Sequence, residues 1–527
     1  MAPQLLHLPD GQTFTVTPVF AGLGFKSHEM NMHPNAFPIG WNVVLHTEEQ
    51  VESPFAADDD AAEDQGSDPS SRPPSRKTRV HPFVRPTLQN DTLFISSISN
   101  PSNSDFKPAA SPTRQIAMMM WVTLYWYFHQ PQPLPQLHTE AAKDTPDHAK
   151  PNGEWRINIK REGVLRGRNL IPKLERMGLI AAGDTSCGTG LDDGGDEWAS
   201  MYVSRRMFWQ IPGHLFLFTL QPTQKANSSV PGSPVNSRPS SPVRGESSFS
   251  HYLSIDGLTR LDSDLPGGPM PTSVPQTPAV PIGPFYSTSH LPTYFPPPPL
   301  QYTFTDGVRH PVRPKPHRMG EIFYSRFVPS VGKYLSFRVA STSTKPVPYL
   351  GPVGSSNNNS QELAHLAGMT DVQLLQMWMA KPRVSEFWGE YKPGFLEGVL
   401  KLRHSFPVIA SWDGIPFGYF EIYWVKEDIL GRHLANVAGD FDRGIHVFVG
   451  EEWARGRVPQ WLTSLVHWCF IADNRTMSVC LEPRVDNDRM LRHLDKAGFG
   501  KERQISFPHK QSWYVRLWRD TWEGPAF

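Results

Sequence analysis

Apolar residues along the chain alternate between a two-residue and a three-to-four-residue period, and the changes of period mark out its elements. From Leu5 to Val51 the pattern is strand-like, clearest at Thr13-Phe14-Thr15-Val16 and Trp41-Asn42-Val43-Val44-Leu45. Thr92 to Ser96 predicts a returning strand, and Arg114 to Gln130 a mostly apolar core helix. Met207 to Ile211 and Leu215 to Phe218 read as further strand. Later, Gly320 to Val339 has strand character and Asp371 to Trp378 is helical. His404 to Trp412 and Gly418 to Trp424 predict a hairpin about Asp413-Gly414, with Tyr419, Glu421 and Tyr423 on one side and Phe420, Ile422 and Trp424 on the other. Asp442 to Gly450 reads as a buried strand. Gln460 to Asp473 reads as a helix with Pro459 near its start, Met477 to Glu482 as a strand, and Asn487 to Ala497 as a helix capped by Gly498.

Two stretches lack this periodicity. Ser53 to Lys77 combines Asp58, Asp59, Asp60, Glu63 and Asp64 with serine and proline, too little apolar surface to offset ordering entropy. Gln224 to Lys315 is dominated by Pro, Ser and Gly, including Pro296 to Pro299, and reads as a linker; Ser233-Pro234 and Ser241-Pro242 in it fit proline-directed phosphorylation. The division expected is a mixed α/β domain over 1–221 with a disordered insertion near 53–77, a linker over 222–317, and a second α/β domain over 318–527.

Composition narrows the function. The chain carries 51 Lys and Arg against 51 Asp and Glu, so no global field recruits nucleic acid or anionic membrane. Glu154 to Ala182, with Arg161, Arg166, Arg168, Lys173 and Arg176, is either a DNA-reading helix-turn element or a solvated amphipathic helix, and the balanced charge favours the second. Cys187, Cys469 and Cys480 have no metal-type spacing, so neither a disulfide framework nor a metal is expected, and a reducing compartment fits. No apolar stretch reaches the length of a membrane span and no peroxisomal signal is present; a cytoplasmic protein is expected.

The chemistry concentrates between Gly414 and Phe499. A glycine-bearing loop at Trp453-Ala454-Arg455-Gly456-Arg457 runs into a helix N-terminus, where backbone amides and the helix dipole can hold a pyrophosphate, with Arg455 and Arg457 to offset its charge. Glu421, inside an apolar strand, needs a partner: a structural ion pair, or a cationic substrate.

Strand, anion loop, helix, strand and Asn-led helix, closed by Gly498-Phe499, resembles the core of the GNAT acyl-CoA transferases. Three motifs sharpen this: Gly414 to Trp424, Asp442-x-Gly444-x-His446, and Glu482-Pro483-x-x-x-Asn487. Together they resemble the siderophore-biosynthesis acyltransferases, including the hydroxyornithine acyltransferases of fungi, over roughly Lys381 to Arg519. The resemblance implies a C-terminal GNAT fold, preceded by a degenerate GNAT-like N-terminal half. It implies acyl transfer to the nitrogen of hydroxyornithine or hydroxylysine, forming a hydroxamate, with acetyl-CoA favoured over a bulkier mevalonate-derived donor by the missing peroxisomal signal. A catalytically inactive scaffold is the rival from another class, and the resemblance leaves a homo-oligomer open.

Residue by residue, it implies His446 as base, Asp486 as the second catalytic group or a helix cap, and Asn487 as a coenzyme contact. Backbone amides at Val447 and Val449, with Arg455, Gly456 and Arg457, complete the coenzyme set. His404, Glu421, Tyr423, Trp424 and Asp442 are assigned to the acceptor, Asp442 also as a candidate to orient His446. Trp453 and Val458 depart from the usual pyrophosphate loop.

Overall fold

The computed structural model describes residues 2–27, 40–52, 76–99, 112–167, 170–182, 201–217, 300–354 and 360–527. The acidic insertion, the Ser-Pro pairs, the Pro296 to Pro299 run and Cys187 lie outside the described residues.

In the first half, β1 (Gln4–His7), β2 (Thr13–Val19), β3 (Gly22–Ser27) and β4 (Gly40–Glu52) are antiparallel neighbours, and β5 (Arg76–Pro82) pairs with β4. Next come β6 (Asp91–Ser99), α1 (Pro112–Phe128), β7 (Arg156–Ile159), α2 (Ile171–Arg176), β8 (Ala181–Ala182), β9 (Met201–Ser204) and α3 (Arg205–Trp209). The sheet order is β1-β2-β3-β4-β6-β7-β9-β8. α1 is buried from Gln115 to Phe128, which accounts for its being apolar all round.

Two expectations are corrected here. Met207 to Ile211 is not strand: the Ser204 side chain accepts the Met207 N–H, and that cap starts α3 instead. Leu215 closes a 3₁₀ turn over Gly213–Leu215. The amphipathic helix favoured over Glu154 to Ala182 does not form either. The described residues there are divided among β7, a 3₁₀ turn at Gly163–Arg166, the six-residue α2 and β8, so neither a long amphipathic helix nor a helix-turn pair is built from them.

The second half opens with the hairpin β10 (Tyr302–Thr305) and β11 (Val308–Pro311), inside the stretch that composition assigns to the linker. Arg313 anchors it. Its guanidinium forks onto Glu427 with both N–O distances 2.6 Å and stacks on Trp424 at 4.2 Å, a bidentate buried pair. Then come β12 (Ile322–Val328), β13 (Lys333–Val339), the helices α4 (Ser360–Ala367), α5 (Asp371–Met379), α6 (Pro382–Trp388) and α7 (Phe395–Leu400), β14 (Ser405–Trp412) and β15 (Ile415–Trp424). The chain ends with α8 (Ile429–Leu434), β16 (Arg443–Val449), α9 (Val458–Ala472), β17 (Ser478–Leu481), α10 (Asp488–Lys496), β18 (Gly500–Ser506) and β19 (Gln511–Trp518). The sheet order is β12-β13-β14-β15-β16-β17-β19-β18.

The β14–β15 hairpin turns as its sequence predicts. Asp413 at φ 46° and Gly414 at φ 81° supply the two left-handed residues of a primed turn, which matches the strands' twist. α9 starts at its proline and buries Trp461, Leu462, Leu465, Val466, Cys469 and Phe470, the face read from the sequence.

One apolar core runs through both halves. The His7 ring stacks on Phe327 at 4.0 Å, the Tyr334 hydroxyl donates to the Leu8 carbonyl at 3.1 Å, and Trp209 meets His467 edge-on at 5.4 Å.

Candidate active site

The site forms where β15 and β16 pair. Register sets Glu421 directly opposite His446, and alternation brings Tyr419, Glu421, Tyr423, Gly444, His446 and Phe448 to one face. Gly444 in the Asp442-x-Gly444-x-His446 motif is explained by packing: the Tyr423 ring lies across it, and a Cβ there would sit 2.1 Å from that ring. Tyr423 in turn packs, tilted, against the His446 ring at 4.5 Å.

His446 lies between two carboxylates. Its Nδ1 is 3.2 Å from Glu421 Oε2, and its Nε2 is 2.6 Å from Glu482 Oε1. Glu482, just past the end of β17, also accepts from the Tyr423 hydroxyl at 2.8 Å; Lys510 Nζ stands 3.6 Å from its Oε1 and donates to its backbone carbonyl at 3.0 Å. Glu421 accepts from the Tyr419 hydroxyl at 2.8 Å. Burial alone would lower the imidazole's pKa, but the charge of Glu482 and hydrogen bonds to Glu421 and Glu482 outweigh it and hold His446 protonated well above its usual range. Burial likewise opposes ionisation of Glu482, yet the His446 charge and hydrogen bond, with help from Lys510 and Tyr423, bring its carboxyl down to about 2.

Helices α5 to α7 cover this face. Trp388 stands edge-on to His446 at 6.2 Å and to Phe448 at 5.0 Å, and Phe395 packs on Tyr419 at 5.9 Å. On the other side of His446 the sheet opens. β16 and β17 are parallel neighbours only through Arg443↔Val479 and Gly444↔Cys480, so from Ile445 to Val449 alternate amides and carbonyls of β16 face a gap. This gap and the loop beyond it fit an extended thioester arm: Val447 and Val449 are partly exposed in it, and Gly456 has open space where a side chain would be.

The loop is held from outside. Lys381 Nζ and Arg383 Nη2 donate to the Gly450 carbonyl at 2.9 and 2.5 Å, and Arg455 pairs with Glu452 at 3.3 Å. Arg457 turns inward between Trp412 and Trp453, at 5.4 and 5.5 Å from their rings. Asn487 caps α10, its side-chain oxygen accepting the Met490 N–H at 3.2 Å.

Several sequence assignments lie apart from this cluster. Asp486 is exposed and paired with Arg484 at 2.6 Å, while the carboxylates on His446 are Glu421 and Glu482. Asp442 accepts the Gly439 N–H at 2.8 Å, a local turn contact that leaves no bond to His446. Trp424 faces the opposite side, sandwiched between Arg313 and Arg443. His404 pairs with Asp428 at 3.2 Å. Glu482, Lys510 and Trp388 are the residues that sequence reasoning passes over. Glu482 is visible there only as the first letter of the Glu-Pro motif, whereas Lys510 reaches the site from a turn with no signal of its own.

Comparison with known proteins places the chain in a family. Residues 368–507 match the acetyltransferase (GNAT) domain family. The chain is 59% identical, over 97% of its length and all of the relative's, to the N5-hydroxyornithine acetylase sidL of Beauveria bassiana. The chain belongs to the hydroxyornithine acyltransferases of the GNAT class. More distant relatives match less than half of the chain. The N5-hydroxyornithine:cis-anhydromevalonyl coenzyme A-N5-transacylase SIDF of the same fungus is 33% identical over 48% of this chain and 53% of its own. The N6-hydroxylysine O-acetyltransferase of Escherichia coli is 36% identical over 38% of this chain and 57% of its own. This protein is accordingly an acyl-CoA-dependent N-acyltransferase with a C-terminal GNAT fold. Among the described residues no group of His, Cys, Asp and Glu is placed to hold a metal ion, and no helix is long and apolar enough to cross a membrane.

Proposed function

We propose that the enzyme transfers the acetyl group of acetyl-CoA to the hydroxylated side-chain nitrogen of ornithine, giving the hydroxamate used in siderophore assembly. The observation that carries this is the Glu421–His446–Glu482 array at the mouth of the β16–β17 gap. Acetyl as the donor's acyl group is supported by the full-length likeness to a protein described as an acetylase, and by the aromatic rings of Trp388, Tyr419 and Phe448 that crowd the face beside His446.

A hydroxylamine nitrogen is less basic than an amine and reaches the site neutral, so the chain's task is alignment and removal of one proton during attack. His446, once deprotonated, receives that proton at Nδ1, the ring nitrogen with the longer carboxylate contact. Glu482 fixes the ring through Nε2 and stabilises the imidazolium, as Tyr423 and Lys510 fix Glu482. Amides of β16 at Val447 and Val449 supply oxyanion and pantetheine contacts, and Arg455 with the α9 N-terminus supplies charge for the pyrophosphate. Buried, unpaired Cys469 and Cys480 are compatible with a cytoplasmic enzyme.

Free thiol release from acetyl-CoA, monitored with hydroxyornithine and with ornithine, tests this. Release that requires the hydroxyl and collapses in His446→Ala is the expected result. Release only with a branched, longer acyl-CoA would overturn the donor, and none with any donor would overturn the function.

A further inference from the structure

The two carboxylates on His446 are not equivalent. Glu482 is nearly enclosed, with its side chain 5 % exposed, and both its oxygens are engaged, one by His446 and Lys510 and the other by Tyr423. Glu421 is more open at 12 %, makes the longer contact to His446, and among the described residues has the Tyr419 hydroxyl as its one other partner. A carboxylate offers about four acceptor positions, so Glu421 keeps two for a ligand.

We propose that Glu421 is the specificity residue of this site: its carboxylate accepts the O–H of the acceptor's N-hydroxyl group, and it thereby selects hydroxylamines over amines and over O-substituted hydroxylamines. This deepens, and rests on, N-acylation at His446. Geometry makes the assignment. Glu421 and His446 are cross-strand partners with Oε2 and Nδ1 3.2 Å apart. A nitrogen within reach of His446 Nδ1 therefore carries its own oxygen, one bond away, to Glu421.

The neutral hydroxylamine nitrogen forms the N–C bond and gives its hydrogen to His446 Nδ1. The C–S bond breaks and the leaving thiolate takes that proton back from the imidazolium. The O–H hydrogen stays on oxygen throughout, hydrogen-bonded to Glu421. A plain amine arrives as an ammonium: it satisfies the carboxylates by charge but has no free lone pair, so it is held without reacting. Sites built around a substrate hydroxyl reject analogues lacking it much more strongly than apolar pockets reject a missing methylene.

The test uses the full chain and acetyl-CoA, comparing kcat/KM for N5-hydroxyornithine, its O-methyl ether and ornithine in wild type, Glu421→Gln and Tyr419→Phe. The preference for the free hydroxyl over the O-methyl ether is expected to fall about tenfold in E421Q, the effect of losing one charge-assisted hydrogen bond. Tyr419→Phe, which keeps both carboxylates and only loosens Glu421, is expected to lower the same preference about threefold, and it decides the matter if E421Q does not fold. An unchanged preference in the folded variants overturns the role of Glu421 while leaving N-acylation at His446 intact. Failure of wild type to acylate hydroxyornithine overturns the parent function instead.

Discussion

The two halves of the molecule carry the same sheet. In each main path, eight strands keep one order, neighbours are antiparallel except for the fifth and sixth, and a long helix, α1 or α9, joins that parallel pair. In each the parallel pairing lasts only two residues, Thr92↔Asn158 with Leu93↔Ile159 in the first and Arg443↔Val479 with Gly444↔Cys480 in the second. The first half is therefore a GNAT-type sheet as well. The halves part ways in the course of the chain beyond β7 and β17. After β17 the chain stays with β19, Trp513 N–H bonding the Pro483 carbonyl at 2.9 Å, and the edge of β16 is left facing a gap. After β7 it folds back onto β6: Lys160 N–H bonds the Leu93 carbonyl at 2.9 Å, Leu165 is fully buried, and Gly163 lies so close that a Cβ would stand 2.2 Å from the Ile95 carbonyl oxygen. The place of a coenzyme arm is filled by the chain itself.

The chemistry is missing too. Leu93 shares the face of Asp91, which bonds Tyr127 of α1, just as Arg443 faces Trp468 of α9. Three residues on from each lie Ser96 and His446, so serine holds the histidine's position. Asn42 stands near that of Glu421, displaced by a bulge between Asn42 and Val43. Among the described residues no helix covers that face: β2 and β3 meet in a tight turn at Ala21 where β13 and β14 are joined by α4 to α7. Shared topology thus secures the scaffold, while the proposed mechanism rests on an open gap, the carboxylate–histidine array and a helical cover.

Substitutions on either side probe this contrast. The largest expected effect is that of His446→Ala: a loss of about 10²–10⁴-fold in kcat/KM. A fall in melting temperature should accompany it, since Glu421 and Glu482 are left facing each other without the cation between them. Ser96→Ala in the first half should leave the rate unchanged. Thiol-release kinetics and thermal melts of the two variants check both statements.

Next is pH. Because His446 must be neutral to accept a proton and its pKa is raised, kcat/KM should still be climbing above the ordinary histidine range and should fall as pH drops through the raised value. Glu482→Gln should move that limb to lower pH. Linkage sets the opposite trend for stability: a group with a raised folded pKa stabilises fully below its unfolded value, about 6.5, and loses that contribution as pH rises through the folded one. Melting temperature should therefore decline over the window in which the rate climbs, and parallel trends would contradict the assignment.

Smaller effects are expected in the first half and on the reverse face. Gly163→Ala forces a side chain into a residue at φ +55° against the Ile95 carbonyl, and should cost about 1–3 kcal/mol of stability with kcat/KM unaltered in the folded fraction. Trp424→Phe should lower stability by about 1 kcal/mol through its two guanidinium contacts and leave the KM for hydroxyornithine unchanged.

Legibility in the sequence divides along physical lines. The β14–β15 hairpin, β16, α9 and α10 all carry strong local signals, a two-residue left-handed turn and period-two or helical apolar spacing, although the cap of α10 reads as Asp486 and is made by Asn487. Tyr419, Glu421 and Tyr423 fall on one face as the sequence predicts, because alternation is a local property. The partner of His446 is not legible, because Glu482 and Lys510 meet it through strand pairing and a turn far along the chain. The likeness of the two sheets is suggested only by family resemblance, since strand order and the plug at Gly163 are long-range facts. α3 reads as strand because its apolar run, Met207-Phe208-Trp209, is too short for period to decide, and a serine cap decides it.

The most direct measurement is a calorimetric titration of the full chain with a non-transferable acetyl-CoA analogue, beside Gly456→Glu. Gly456 has open space where the new side chain would stand, so the variant should fold, while its carboxylate would repel the pyrophosphate. One site per chain, weakened at least about tenfold by G456E, is the expected result. Two sites, or a single site indifferent to G456E, would contradict the claim that only the second half has kept the gap and the chemistry.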